Sequence, residues 1–156
     1  MKEKWKKLLI CLAVPLSVGG LSAFLTRDGM KTFQTLKKPP LSPPAWVFPL
    51  VWTILFLLMG TASFLVLESG KSRRAVRRAL TVYGAQLAAN FFWPLLFFGL
   101  GAWLFSFFWL IFLWILIFAA KVKFSLLSPA AGRLLIPYLA WVSFAGYLNF
   151  GVWLLN

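Results

Sequence analysis

Long uncharged stretches dominate the chain and predict membrane-spanning helices. A helix needs about 20 mostly apolar residues to cross the hydrocarbon core of a bilayer. Charge-free runs of this length or longer separate the clusters of Lys and Arg. The uncharged block between Arg78 and Lys121 is too long for one helix and fits two helices joined by a turn at Gly99 and Gly101. The pattern therefore predicts five spans, at about 8–26, 45–67, 79–98, 102–120 and 134–155.

These five helices occupy most of the chain and leave no room for a separate soluble domain. The expected fold class is all-α, a polytopic membrane protein in which residues 1–156 form a single bundle of five transmembrane helices. The first span resembles a secretory signal peptide, because four lysines precede it and Leu21-Ser22-Ala23 could be a cleavage site. Its uncharged run is longer than the roughly 7–15 residues of a signal h-region, which favours a retained helix. Cleavage would leave four spans.

The composition excludes most soluble classes of protein. Apolar residues make up 62% of the chain, against roughly 45–50% in soluble domains. A disordered chain is excluded as well, because disorder requires low hydrophobicity. One cysteine, Cys11, and no histidine exclude a disulfide framework, His-based catalysis and His-ligated metal or haem. Glu3, Asp28 and Glu68 lie too far apart in sequence to suggest a catalytic pair, so no catalytic residue, metal site or required cofactor is predicted.

The charge is strongly basic and unevenly distributed. Sixteen Lys and Arg face three acidic residues, which gives a net charge of +13. Twelve of the sixteen lie at the N-terminus or in the second–third and fourth–fifth connections, which share one side of the membrane if the spans alternate. The positive-inside rule therefore predicts a cytoplasmic N-terminus, in the inner membrane of a bacterial cell. Basic connections meet anionic headgroups, so the expected partner is the lipid bilayer and not nucleic acid.

Several aromatic and polar residues fall inside the predicted spans. Among the nine tryptophans, those near helix ends are typical of an interfacial aromatic belt. Trp52, Trp93 and Trp141 lie within three different spans, where they either line a cavity or face lipid. In the third span, Gln86 and Asn90 share one helix face. Amides in hydrocarbon need partners, so we expect either an interhelical hydrogen bond or a polar point in a cavity wall.

Two further features concern helix packing and the first long connection. Gly84 and Ala88 form a small-xxx-small step in the third span, which predicts close contact with another helix in the same chain or in a dimer. Pro94 is expected to kink this helix. The Pro-rich connection that includes 37–49 is longer than most loops, and such loops often act as lids or binding elements.

Three motifs resemble those of one known family of membrane proteins. They are Pro-Pro-Leu-Ser-Pro-Pro-Ala-Trp-Val-Phe-Pro-Leu-Val-Trp at 39–52, Asn-Phe-Phe-Trp-Pro at 90–94, and Pro-Tyr-Leu-Ala-Trp-Val-Ser-Phe-Ala-Gly-Tyr-Leu-Asn at 137–149. The chain resembles the tryptophan-rich sensory protein, or translocator protein, family over all five spans. This resemblance implies a five-helix bundle, a homodimer, and a pocket beneath the first loop. It also implies that the pocket binds protoporphyrin IX-like tetrapyrroles and synthetic benzodiazepine-type or isoquinoline carboxamide ligands.

The resemblance also implies which residues bind the ligand. The implied pocket is lined by Trp52, Asn90, Trp93, Trp141 and Ala145, with Pro44, Phe56 and Leu148 close by and Phe33 as a lid residue in the first loop. A flat apolar macrocycle suits an indole-lined slot, because aromatic faces favour offset stacking.

Animal members carry a basic residue near the end of the fifth span, in a proposed cholesterol motif. The segment 147–156 has no basic residue, so cholesterol is not a predicted ligand.

Three functions are compatible with these features. The leading hypothesis is a receptor or sensor for porphyrin-type tetrapyrroles, with a role in porphyrin metabolism or stress regulation. Arg27, Lys37 and Lys38 are candidates to meet the porphyrin propionates. An enzyme would have to degrade porphyrin in a light-dependent oxidation beside Trp52 or Trp141, since no general acid, base or nucleophile stands out. Facilitated transport of a flat apolar metabolite is the third possibility, without proton coupling, because no ionisable residue lies deep in a span.

Overall fold

The computed structural model describes the whole chain, Met1–Asn156, as helices joined by connections, of which the longest is 34–46. The helices are α1 (Lys2–Leu25), α2 (Arg27–Phe33), α3 (Val47–Leu67), α4 (Arg73–Pro94), α5 (Trp103–Leu127), α6 (Pro129–Leu134) and α7 (Ile136–Leu155), with a π-helical turn at Leu95–Gly99. There is no β-strand. The all-α fold predicted from the sequence is confirmed.

Most of the long helices are suited to a bilayer by length and composition. Four helical segments are long and apolar enough to cross a membrane, namely α1, α3, α5 and the segment Pro129–Leu155 that contains α6 and α7. The remaining long helix, α4, has 22 residues but is more polar, because its first turns carry four arginines and its interior carries Gln86 and Asn90. It packs between α1 and α5. The chain is therefore a multi-pass integral membrane protein.

The order of the helices around the bundle determines where an internal cavity can form. Close backbone packing joins α3 to α1, α1 to α4, α4 to α5, and α5 to α7. The remaining pair, α3 and α7, is not among the closely packed pairs, although α6 packs against α3 at one end of the bundle. The bundle is thus tight along four seams and loose along the fifth.

The helix ends differ from the predicted span boundaries. α1 and α4 begin earlier than the predicted spans, because their lysines and arginines continue the helix instead of forming a loop. Ser72 caps α4, since its hydroxyl accepts a hydrogen bond of 3.2 Å from the Ala75 N–H. α5 continues to Leu127. The fifth span is divided at Leu135, just before Pro137, which has no N–H to donate.

The two ends of the bundle have different characters. At the basic end, the Lys7 ammonium donates a 2.9 Å hydrogen bond to Glu68 and connects the start of α1 to the end of α3. This hydrogen bond holds the pKa of the Glu68 carboxyl below its usual range. The opposite end carries α2, the Pro-rich loop and the π-helical turn. The cavity described below lies at this second end.

Candidate ligand-binding cavity

A cavity of about 310 Å³ lies inside the bundle beneath α2. Small-molecule sites are typically roughly 300–1,000 Å³, so this cavity is at the small end of that range. Helices α1, α3, α4 and α7 form its walls, and none of its lining residues is Asp, Glu, Lys or Arg. The structure brings together all but one of the residues implied by the motifs, namely Phe33, Trp52, Phe56, Asn90, Trp93, Trp141, Ala145 and Leu148. Pro44 does not line the cavity, whereas the next residue, Ala45, does.

Stacked aromatic rings form two parts of the cavity wall. On α3, the rings of Trp52 and Phe56 stack with centroids 5.7 Å apart and an interplanar angle of 29°. Residues four apart lie one above the other on a helix face, which explains this pair. Trp93 and Phe97 stack at 5.2 Å and 21° across the junction of α4 and the π-helical turn. The cavity therefore presents flat, apolar surfaces.

Phe33, the last residue of α2, closes the cavity from above. Its ring makes edge contacts with Phe48 at 6.2 Å and with Phe98 at 5.4 Å. α2 can approach the π-helical turn closely because Gly29 has no Cβ. A Cβ at this position would collide with the carbonyl group of Phe98. The Lys38 ammonium lies 4.9 Å from the centroid of the Phe33 ring. The short helix α2, which the sequence did not predict, thus positions the aromatic lid residue.

Buried polar groups connect α4 to α7 beside the cavity. The Asn90 amide donates to the Tyr138 hydroxyl, and that hydroxyl donates to the Gln86 side-chain carbonyl, both at 2.6 Å. All three side chains are buried. The interhelical hydrogen bonding considered for Gln86 and Asn90 is therefore present. Gln86 lies outside the cavity, whereas Asn90 both belongs to this network and lines the cavity wall.

A second polar cluster is centred on Asn149, a residue to which the sequence analysis gave no role. Its side-chain carbonyl accepts hydrogen bonds from the Trp93 indole and the Ser106 hydroxyl, both at 3.0 Å. Its amide donates to the Trp103 carbonyl at 2.7 Å. Asn149 could have been found from the sequence, because it is an amide in an apolar span and lies on the same helical face as Ala145. The cluster fixes the orientation of the Trp93 ring.

The Trp141 indole differs from these groups because its N–H has no partner. Trp141 Nε1 is buried and makes no hydrogen bond. Leaving a buried donor unpaired costs about 1–3 kcal/mol. The indole ring packs against Phe48, with centroids 5.9 Å apart. The indole N–H is therefore an unsatisfied donor in a residue that lines the cavity.

Three aromatic residues that line the cavity were not predicted from the sequence. Phe48 could have been found, because it precedes Trp52 by four residues on the same face of α3. Phe97 and Phe98 could not, because they enter the site through the π-helical turn. Pro94 has no N–H to continue the helical pattern, and beyond it the Leu100 N–H bonds to the Leu95 carbonyl at 2.9 Å. This wider turn rotates both rings towards the cavity.

The small-residue step on α4 faces away from the cavity. Gly84 and Ala88 are exposed on the outer surface of the chain. A Cβ added at Gly84 would have no neighbour within 4 Å. This step is therefore not used for packing within the chain.

The fold and the cavity together define an α-helical, multi-pass membrane protein with an aromatic internal site of ligand size. The model of the TspO/MBR family matches residues 11–154. The chain belongs to this family, as its three motifs indicated.

Curated relatives span bacteria and mammals. The chain is 40% identical to the tryptophan-rich protein TspO of Chlorobaculum tepidum, over 100% of this chain and 99% of the relative. It is 38% identical to the translocator protein of Bos taurus, over 88% of this chain and 83% of the relative. It is also 35% identical to the tryptophan-rich sensory protein of Cereibacter sphaeroides, over 100% and 95% of the two chains.

Proposed function

We propose that this protein is a membrane receptor or sensor that binds porphyrin-type tetrapyrroles in the cavity, with a role in porphyrin metabolism or stress regulation. The observation that carries this proposal is the combination of flat aromatic walls with the unpartnered Trp141 N–H. An apolar macrocycle would stack on the rings, and a carbonyl or carboxylate oxygen would accept from Trp141. Benzodiazepine-type and isoquinoline carboxamide ligands share both features. The name of the Cereibacter sphaeroides relative, a sensory protein, supports a sensing role.

The charges at the mouth support a ligand with acidic groups at one edge. No cationic side chain lines the cavity. Of the three basic candidates, Lys38 is the best placed, because its ammonium lies over the ring of the lid residue Phe33, where it also donates to the Gln34 carbonyl at 3.2 Å. The Arg27 guanidinium donates to the carbonyl and lies over the ring of Phe24, which does not line the cavity. The propionates of a porphyrin would therefore meet Lys38 at the mouth.

The membrane placement and the oligomeric state belong to the same proposal. With a cytoplasmic N-terminus, the basic end of the bundle faces the cytoplasm of a bacterial cell and the cavity lies towards the outside. A homodimer would bury the exposed step of Gly84 and Ala88 on α4. Small residues of this kind allow two helices to approach closely in a membrane.

The test is a titration of purified protein with protoporphyrin IX, in which quenching of tryptophan fluorescence is measured. We expect saturable quenching, with weaker affinity in Trp141→Phe. Trp5→Phe is the matched control, because Trp5 is 62% exposed and lies at the basic end, so its affinity should equal that of the wild type. Non-saturable quenching, or equal affinity in all three proteins, would reject the cavity as a porphyrin site.

Light-dependent oxidative degradation of the bound porphyrin, with molecular oxygen as the oxidant, is a second candidate function. The observation that favours it is the presence of three indoles, those of Trp52, Trp93 and Trp141, around a cavity whose lining includes no acidic or basic residue. Analysis of the products after incubation in the dark and in light tests this activity. It predicts turnover in light alone, and equal turnover in both conditions would refute the photochemical route.

A further inference from the structure

Trp141 separates the cavity from a second depression on the outside of the bundle. This outer groove lies between α3 and α7, and its lining includes Val51, Leu58, Ala140, Trp141 and Phe144. Its surface is almost wholly apolar and faces the position of the lipid chains. Trp141 lines both the groove and the cavity. One indole ring therefore forms the wall between the lipid-facing surface and the interior site.

The seam that contains this wall is the loosest in the bundle. α3 and α7 are not among the closely packed helix pairs, and the hydrogen bonds of α7 run to α4, α5 and the first loop instead. Ring contacts cross the seam between Phe48 and Trp141 at 5.9 Å and between Trp52 and Tyr138 at 6.2 Å. The Trp141 N–H has no partner. Rotation of this indole would therefore break packing contacts but no hydrogen bond.

The first loop, in contrast, is tied to α7 by several hydrogen bonds. The Asn156 side chain pairs with the main chain of Lys37, accepting from its N–H at 3.2 Å and donating to its carbonyl at 2.8 Å. The Tyr147 hydroxyl donates to the Pro40 carbonyl at 2.7 Å. Displacement of the first loop together with Phe33 would break these exposed bonds as well as the ring contacts of Phe33. The loop side is thus closed by hydrogen bonds and ring contacts, whereas the α3–α7 seam is closed by ring contacts alone.

From this difference we infer that the ligand enters and leaves the cavity sideways, from the bilayer, through the α3–α7 seam, with Trp141 as the gate. The inference rests on the proposed function and narrows its ligand class to flat apolar molecules that dissolve in the membrane. During entry, the ligand's macrocycle lies within the hydrocarbon interior of the bilayer. The acidic edge of the ligand moves at the level of the lipid headgroups and reaches Lys38. Ala140 lies in the outer groove but does not line the cavity, so a change there can obstruct the route without altering the site.

The experiment uses the full chain in phosphatidylcholine vesicles and protoporphyrin IX as the probe. Stopped-flow tryptophan quenching measures association, and dilution into excess empty vesicles measures dissociation. In Ala140→Phe, we expect both rates to fall by about tenfold, equivalent to roughly 1.4 kcal/mol in the barrier, with an unchanged Kd. Ala13→Phe is the matched control, because Ala13 is exposed on α1 and lines neither the cavity nor the groove. If Ala140→Phe does not fold, Ala140→Leu replaces it. In that variant we expect a smaller decrease in both the association and the dissociation rate.

A third variant, Asn156→Ala, distinguishes the two routes. The lateral route predicts wild-type rates in this variant. Wild-type rates in both Ala140 variants, or faster exchange in Asn156→Ala, would overturn the inference while leaving saturable binding intact. Absence of saturable quenching in the wild type is a different result, which rejects the proposed function and the lateral route with it.

Discussion

The hydroxyl of Tyr138 is the best single group for testing the buried hydrogen-bond network between α4 and α7. Tyr138→Phe removes that oxygen and leaves the shape of the ring unchanged. The Asn90 amide then loses its acceptor and the Gln86 carbonyl loses its donor, both at 2.6 Å in the wild type. Because Gln86 is 1% exposed and does not line the cavity, water cannot replace the bond that its carbonyl loses.

The expected cost follows from the two bonds. Interhelical hydrogen bonds in membrane proteins contribute about 0.6 kcal/mol on average and up to about 1.7 kcal/mol each. The loss of two such bonds, with the buried Gln86 carbonyl left unpaired, gives an expected decrease of about 1–3 kcal/mol in the free energy of unfolding. The assay is unfolding in mixed detergent micelles with increasing sodium dodecyl sulfate, followed by the loss of helical circular dichroism.

Tyr83→Phe provides the matched control for this measurement. Tyr83 is also buried in the bundle, but its hydroxyl has no hydrogen-bond partner. Removal of an unpaired buried hydroxyl should leave stability within about 0.5 kcal/mol of the wild type or increase it. Equal destabilisation by the two substitutions would refute the reasoning, because the loss could not then be assigned to the bonds of Tyr138.

Two further predictions concern helix packing and the charge at the mouth. Gly60→Ala should lower the thermal stability of the protein in detergent, because its new Cβ would lie 2.5 Å from the Cys11 carbonyl oxygen and push α1 away from α3. Gly20→Ala on α1, which meets nothing within 4 Å, should leave that stability unchanged, and a larger loss for Gly20→Ala than for Gly60→Ala would contradict the packing. Lys38→Ala should weaken protoporphyrin IX binding in the titration and make it less sensitive to salt, whereas Arg27→Ala should not. Equal effects of the two charge changes would show that only the net charge of the mouth matters.

The parts of the site that lie on regular helices could be predicted from the sequence. Charge-free runs locate the spans, and helical spacing places Asn90 beside Trp93 on one face and Trp141 beside Ala145 on another. The structure then shows that these faces meet around one cavity. The periodicity of single helices does not give their order around the bundle, so the motifs and not the spacing indicated that the three tryptophans converge.

The parts of the site on irregular backbone could not be predicted in this way. α2 is too short and too polar to show a helical pattern, so the position of Phe33 above the cavity depends on its contact with Phe98. The π-helical turn after Pro94 depends on the loss of one N–H, and the sequence shows a break there but not its geometry. The role of the Tyr138 hydroxyl, which donates to Gln86, depends on how α4 and α7 pack together, and the spacing within one helix does not show it.

The central claim, that the cavity between α1, α3, α4 and α7 is the ligand site, is tested most directly by filling it. Ala145 is buried in the cavity wall, so Ala145→Phe places a ring in the space that a ligand would occupy. Calorimetric titration with protoporphyrin IX should show saturable binding to the wild type and to Ala13→Phe, and none to Ala145→Phe that is folded by circular dichroism and gel filtration. Wild-type affinity in folded Ala145→Phe would contradict the claim and place the ligand elsewhere on the protein.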